Sequence, residues 1–268
     1  MAIAGLPSSS GSGITVVEAS DIPEDVWIEL AAGGKVTAKH PLSTRETTFA
    51  GPGRVRPCVG HREEAWLARG SFESVVSSGE RPSGGEWIVT PLGVIRYGAA
   101  KIDLAIGPAT GAVTKAELKV SSGTAYVWTG DQASPLKPPA PAPALVAAPP
   151  SDDGWTKVEG TRTMTISVAK GGKPEELAQV AVDRCKSFAA AAKDVSLAIS
   201  APDAGLRHLA PKQVIARQLA RAACGVASVR VAALDASPAQ EGFRTTLKEA
   251  EAEWKRASRG GHERGRPH

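Results

Sequence analysis

The sequence predicts an α+β protein: an antiparallel all-β domain, then a proline-rich linker, then a small helical bundle. Three observations predict it. Glycines punctuate short β-prone runs through the first half, prolines crowd one stretch after Ser134, and apolar residues recur at helical spacing beyond Pro174. We divide the 268 residues into a flexible lead-in (1–13), a β-domain (14–130), a linker (131–153), a strand or hairpin with helices (154–258) and a basic tail (259–268).

The segment from Glu86 to Ile106 carries the clearest β signal. It holds three short apolar runs, separated by Thr90–Gly93 and by Gly98, and it shows no helical period. Closely spaced turn residues between such runs are typical of β-sandwiches and barrels, so we expect a β-meander here. Leu118 and Val120 alternate with Lys119, which again indicates a strand with one buried face.

The linker is defined by seven prolines that alternate mostly with alanine: Pro135, Pro138, Pro139, Pro141, Pro143, Pro149 and Pro150. Proline fixes φ and lacks a backbone donor, so these residues cannot join a helix or a central strand. We expect a semi-rigid polyproline II spacer, or else a long surface loop.

The last part of the chain changes its period. Thr161–Lys170 alternates apolar and polar residues and predicts one strand, and helices are then expected to begin at Pro174, Pro211 and Pro238. The third helix has the strongest start signal, because Ser237 and Gln240 have the spacing of a capping box.

The cysteines leave two interpretations open. Cys185 and Cys224 fall on the apolar sides of neighbouring predicted helices and form a disulfide if those helices pair antiparallel. The alternative is two buried thiols, and the redox compartment decides between them. Zinc is not expected, because the three cysteines and five histidines lack ligand spacing.

Charge and hydropathy exclude several classes of protein. The net charge of +4 comes mainly from the tail after Trp254, which has no interleaved aromatic residues, so specific nucleic-acid binding is not expected. No run of eighteen apolar residues exists, which predicts no integral membrane segment. Met1–Gly13 does not have the pattern of a signal peptide, so either the chain is cytoplasmic or its true start lies upstream.

No motif points to catalysis, and no cofactor is expected. His61-Arg62-Glu63-Glu64 is interpreted as a solvated loop, and Gly107–Lys115 as a hairpin turn rather than a phosphate loop. His208 precedes the second helix, where a capping or surface role is expected.

Aromatic residues supply the only candidate binding surface: Trp66, Trp87, Tyr97 and Trp128, which lie within predicted strands. Packing in the core is the default interpretation, and a platform for a sugar or a peptide is the alternative.

Three segments resemble the FecR family: Leu67–Phe72 with Gly70, Trp87–Val94 with Thr90-Pro91, and Val113–Val127 with Gly123. In that family's extracytoplasmic domain, a strand ending in Gly-x-Phe/Val precedes a Val-x-Thr-Pro strand, and a Val-x-x-Gly-x-Val hairpin closes the domain. The likeness covers about residues 26–130. It implies an antiparallel β-structure outside the cytoplasm that works by protein–protein contact.

The chain departs from the best-known members of that family. It lacks their cytoplasmic sigma-binding segment and transmembrane helix, and Gly98-Ala99-Ala100 replaces the usual Gly-Thr. We therefore expect a non-enzymatic sensor or scaffold protein of the bacterial periplasm or envelope, whose partner is another envelope protein or a glycan. The alternatives are a glycan-binding protein that uses surface tryptophans, and a cytoplasmic adaptor.

Overall fold

The structure is a computed structural model, and it describes residues 3–4, 26–39, 45–57, 59, 64–76, 86–107, 115–129, 154–167, 172–200, 210–234 and 238–259. The chain forms two compact units. The β unit comprises residues 1–129 and 155–174, and the helical unit comprises residues 130–154 and 175–268. The predicted linker (131–153) and most of the predicted lead-in and tail lie outside the described residues.

The described part of the β unit contains twelve strands: β1 (Ile3–Ala4), β2 (Ile28–Leu30), β3 (Lys35–Lys39), β4 (Arg45–Arg56), β5 (Glu64–Val76), β6 (Glu86–Thr90), β7 (Gly93–Tyr97), β8 (Lys101–Gly107), β9 (Lys115–Ser122), β10 (Thr124–Trp128), β11 (Trp155–Glu159) and β12 (Arg162–Ser167). The prediction of mixed α and β structure is confirmed, since three helices follow these strands.

The sheet branches at β5. Its first residues pair with β6 and its later residues pair with β8. From this branch, β6, β7, β10 and β11 form the first wing, while β8, β9 and β12 form the second wing. The expectation of a purely antiparallel sheet is wrong at one place, because β5 and β6 run parallel. Twenty residues, 67–86, separate the two paired segments, which is enough chain for a crossover between parallel strands.

The predicted meander is likewise correct for two strands only. β6 and β7 form an antiparallel hairpin, but β8 leaves β7 and pairs with β5 and β9 in the second wing. The change of wing occurs at Gly98–Ala100, where the Ala100 carbonyl accepts a hydrogen bond from the Val76 amide at 3.0 Å.

Both wings contribute to one hydrophobic core. Ile88, Ile95 and Val127 of the first wing and Leu104 and Leu118 of the second wing are all buried in it. Inward side chains alternate with outward ones along β8 and β9, as a sheet with one solvated face requires.

Glycines form the corners at which strands pass between the wings. Gly123 joins β9 to β10 with φ of 79°, and Gly160 joins β11 to β12 with φ of 68°. The Gly160 amide donates to the Gly123 carbonyl at 3.3 Å, so the two corners lie side by side. Glycine adopts these left-handed conformations without steric cost because it has no Cβ.

The domain boundary differs from the predicted one. β11 pairs with β10 and β12 pairs with β9, so the segment expected to precede the helices instead completes the sheet. Pairing across a proline-rich segment is a long-range contact, which local sequence pattern does not encode.

The helical unit contains α1 (Pro174–Ser200), α2 (Ala210–Ala232) and α3 (Pro238–Arg259). Two of the three begin at the prolines predicted to start them. Arg230 of α2 donates to the Leu177 carbonyl of α1 at 3.1 Å, and Cys185 and Cys224 form a disulfide. These contacts make α1 and α2 an antiparallel pair. Lys193 of α1 and Glu253 of α3 form an ion pair at 2.8 Å.

Gln240 contacts the end of the preceding helix, and its predicted capping-box partner Ser237 lies outside the described residues. Its side-chain amide donates to the carbonyls of Val231 and Leu234, both at 3.0 Å, and thereby closes the end of α2. Among the described helices, none is long and apolar enough to cross a membrane.

Candidate binding surface

The outer face of the first wing carries an unusual row of side chains. Register places Trp87, Arg96, Tyr126 and Lys157 side by side across β6, β7, β10 and β11. The residues next to them in sequence, such as Ile88, Ile95 and Val127, point into the shared core. Side chains alternate between faces along a strand, so this row lies on the face away from the core.

A second row runs parallel to the first. It comprises Val89, Val94, Trp128 and Trp155. The first three are fully buried, whereas Trp155 is half-buried. Along this row, exposure therefore begins at β11.

Arg96 contacts two aromatic rings at this boundary. Its guanidinium carbon is 5.2 Å from the centre of the Tyr126 ring and 5.1 Å from that of the Trp155 ring. Trp87 supports Trp155 from the side, with ring centres 5.6 Å apart and an interplanar angle of 76°. We call Arg96, Tyr126 and Trp155 the arginine–aromatic surface. All three are partly exposed.

The stacking fixes Arg96 in place. A cation held over an aromatic face gains roughly 0.5–2 kcal/mol, depending on its exposure, and contact with two rings restricts the guanidinium further. Within the described part of the chain, Arg96 contacts these rings and has no carboxylate partner.

The neighbouring cation is already neutralised. Lys157 is paired with Glu159 on the same strand, and a hydrogen bond to that carboxylate raises the pKa of the lysine. Both side chains are exposed, so this pair stabilises the fold little. Among the described residues, Arg96 is the cation of this row that lacks a carboxylate partner.

A second cluster of aromatic and charged residues lies on β2, β4 and β5. Arg54 stacks on Trp27 at 5.5 Å and pairs with Glu29 at 2.9 Å, while Arg56 stacks on Trp66 at 4.8 Å. The Trp66 indole donates to the buried Glu64 carboxylate at 2.6 Å. Each cation and carboxylate in this cluster has a partner within the fold, which indicates a packing role.

The four aromatic residues are buried, as the default interpretation expects, and the alternative of an aromatic platform is wrong. Exposed fractions are 8% for Trp66, 3% for Trp87, 1% for Tyr97 and 0% for Trp128. A buried ring presents no face to a sugar or a peptide. Tyr97 lies in the shared core, and Trp87 lies beneath the arginine–aromatic surface.

Other candidate residues have simpler outcomes. Cys185 and Cys224 are bonded to each other and buried between α1 and α2. His61, Arg62, Glu63, His208 and residues 108–114 lie outside the described residues. The part of the chain that the structure describes contains no group of three histidine, cysteine, aspartate or glutamate side chains placed to hold a metal.

Two residues of the arginine–aromatic surface, Arg96 and Trp155, were not singled out by the sequence patterns. Arg96 is the one charged residue in the otherwise apolar strand Gly93–Tyr97, and that contrast is a usable signal. Trp155 follows the predicted linker, so its position beside Tyr126 depends on pairing that only the fold shows.

No protein-family model matches the chain, and no curated protein matches it.

Proposed function

We propose that this chain is a non-enzymatic binding or scaffold protein of the bacterial envelope, whose FecR-like β unit contacts another envelope protein. The observation that carries the proposal is the arginine–aromatic surface. It presents a partly exposed cation stacked against two partly exposed rings, and one of these rings lies on β11, the outermost strand of the first wing. Arginine, tryptophan and tyrosine are the residue types that contribute most to protein–protein affinity.

Buried polar groups of the β unit support a scaffold role. Glu64 accepts from Trp66, Thr90 Oγ1 accepts from the amide of Gly93 at 3.2 Å, and Tyr97 donates to Ser74. The first two bonds order a strand and a turn locally, and the third joins β7 to β5. The rigid sheet that results is the support that a binding surface needs.

The disulfide supports an extracytoplasmic location. Cys185 and Cys224 join α1 to α2 in the interior of the helical unit. Such bonds persist in oxidising compartments such as the periplasm and are rare in the cytoplasm. The FecR resemblance of the β unit implies the same compartment.

The binding role is tested by site-specific cross-linking in the native host. A photo-crosslinking amino acid replaces Lys157, which is exposed beside the arginine–aromatic surface, or Lys186, which is exposed on α1. The proposal predicts a discrete protein adduct from position 157 and not from position 186. Adducts that are equal at both positions, or absent from 157, contradict it.

The compartment is tested in the same cells by alkylating thiols before lysis. Protection of Cys185 and Cys224 from alkylation until a reductant is added is the expected result. Free thiols at both positions favour the alternative of a cytoplasmic adaptor.

A further inference from the structure

We infer that Arg96 is the receptor for a carboxylate side chain of a partner protein, which reaches it from an extended acidic segment beside β11. This inference rests on the proposed binding function and specifies the chemistry of its partner. It concerns three described side chains, Arg96, Tyr126 and Trp155, together with the outer edge of β11.

The orientation of the guanidinium determines what it can bind. Tyr126 and Trp155 stack against it at 5.2 and 5.1 Å, so part of its apolar surface is covered. Its N–H donors radiate in the guanidinium plane, and among the described residues no carboxylate accepts from them. A planar fork of donors matches a carboxylate in a bidentate geometry.

The same stacking argues against a neutral sugar. Recognition of a sugar ring requires an open aromatic face, but Arg96 covers one face of both Tyr126 and Trp155. Trp87 also contacts Trp155 edge-on, which restricts the ring further. The accessible chemistry is the charged edge of Arg96, which requires an anion.

The position of β11 favours a protein segment as the carrier of that anion. Within the described ranges, β11 pairs with β10 alone, so its other edge has unpaired backbone groups. An extended segment pairs with such an edge through main-chain hydrogen bonds. Its outward side chains then continue the row that contains Arg96, Tyr126 and Lys157, where acidic residues are complementary.

Pre-organisation makes this single contact effective. Arg96 is held by two rings before a ligand arrives, so it loses little rotamer freedom on binding. Lys157 adds less, because Glu159 already neutralises it.

The test uses the full oxidised chain and the peptide Thr-Glu-Thr-Glu-Thr-amide, labelled with fluorescein at its N-terminal amine, and binding is followed by fluorescence anisotropy. The matched peptide carries glutamine in place of glutamate. Arg96→Gln removes the charge, Arg96→Lys keeps the charge without the fork, and Arg162→Gln is the control that removes an exposed arginine of β12. Retention of the wild-type unfolding midpoint shows that each variant is folded.

The expected result is saturable binding of the glutamate peptide, with about tenfold or greater weakening by Arg96→Gln or by the glutamine peptide. Arg96→Lys should weaken binding less than Arg96→Gln, and Arg162→Gln should change it less than about twofold. Equal binding by wild type and Arg96→Gln overturns the inference, as does no saturable binding up to about 10 mM peptide.

Two competitors distinguish other sources of the anion. Inorganic phosphate or glucuronate that displaces the peptide at a lower concentration than the unlabelled peptide overturns the assignment to a protein segment. If the peptide binds but no adduct forms in the host, the proposed function fails while the anion site stands. If an adduct forms in the host but the peptide does not bind, the assignment of a carboxylate ligand to Arg96 fails while the proposed binding function stands.

Discussion

The Tyr97 hydroxyl donates a hydrogen bond to Ser74 Oγ at 2.8 Å inside the core of the β unit. Tyr97 belongs to β7 of the first wing, and Ser74 lies in the half of β5 that pairs with the second wing. Thr47 Oγ1 lies 2.9 Å from the same serine oxygen. This buried polar chain therefore links the two wings through an otherwise apolar core, where an unpaired group is costly.

Replacing Tyr97 with phenylalanine removes the link while keeping the ring. We expect Tyr97→Phe to lower the free energy of unfolding of the β unit by about 1–2 kcal/mol, because Ser74 loses one partner. Urea denaturation followed by tryptophan fluorescence measures the change. Tyr126→Phe is the control, since Tyr126 is half-exposed, and it should cost less than about 0.5 kcal/mol. Equal losses in the two variants refute a bridging role for Tyr97.

Gly123 and Gly160 form a matched pair for testing the corners. Both have positive φ, but a Cβ on Gly123 would collide with Ala99 and Ala100, whereas none of the described residues would lie within 4 Å of a Cβ on Gly160. Gly160→Ala should cost about 1–2 kcal/mol from backbone strain alone. Gly123→Ala should cost more, because neighbouring backbone must also move. Similar thermal midpoints for the two variants would show that Gly123 is not closely packed.

The disulfide gives a prediction for the helical unit. Cys185 and Cys224 are separated by 39 residues, and closing a loop of this length contributes about 4 kcal/mol by the chain-entropy estimate. Reduction should therefore lower the denaturation midpoint of the helices, measured by far-ultraviolet circular dichroism. The double variant with alanine at both positions provides the control, because reductant should leave its midpoint unchanged. An unchanged midpoint in reduced wild type means that the bond contributes nothing.

The contact of Gln240 with the end of α2 is tested by replacing Gln240 with an apolar side chain of similar length. Gln240→Met leaves the carbonyls of Val231 and Leu234 without their side-chain donor and should destabilise the helical unit by about 1–3 kcal/mol. Gln179→Met is the control, since Gln179 is exposed and bonds only within α1 to Asp183. Its effect should stay below about 0.5 kcal/mol. A smaller loss at Gln240 than at Gln179 would rule out the proposed closing role.

Local signals predicted local structure. The Thr90–Gly93 turn, the alternation around Lys119 and the helix starts at Pro174 and Pro238 all depend on residues close in sequence, and the structure has elements there. Pairing over long separations was not predictable in this way. Three such pairings depend on the whole core. β5 pairs with β6 in parallel, β8 pairs with β5 instead of β7, and β11 pairs with β10.

The aromatic residues named as a possible binding surface are buried, and the sequence pattern could not show this because burial also depends on the whole fold. Aromatic residues within strands occur on both faces of a sheet, and sequence alone does not say which face is covered. Trp128 and Trp155 are register partners, yet Trp128 is buried and Trp155 is half-exposed. The difference arises because Trp155 lies on the outermost strand of the first wing. Arg96 was missed because its role depends on two rings from other strands.

The central claim is that Arg96 and its two rings contact a partner protein in the envelope. Cross-linking from position 157 in the native host, compared between chains with Arg96 and with Arg96→Gln, tests this claim most directly. We predict one discrete protein adduct that falls by about tenfold in Arg96→Gln at equal protein level. An adduct of equal yield in both chains, or no adduct in either, would contradict it.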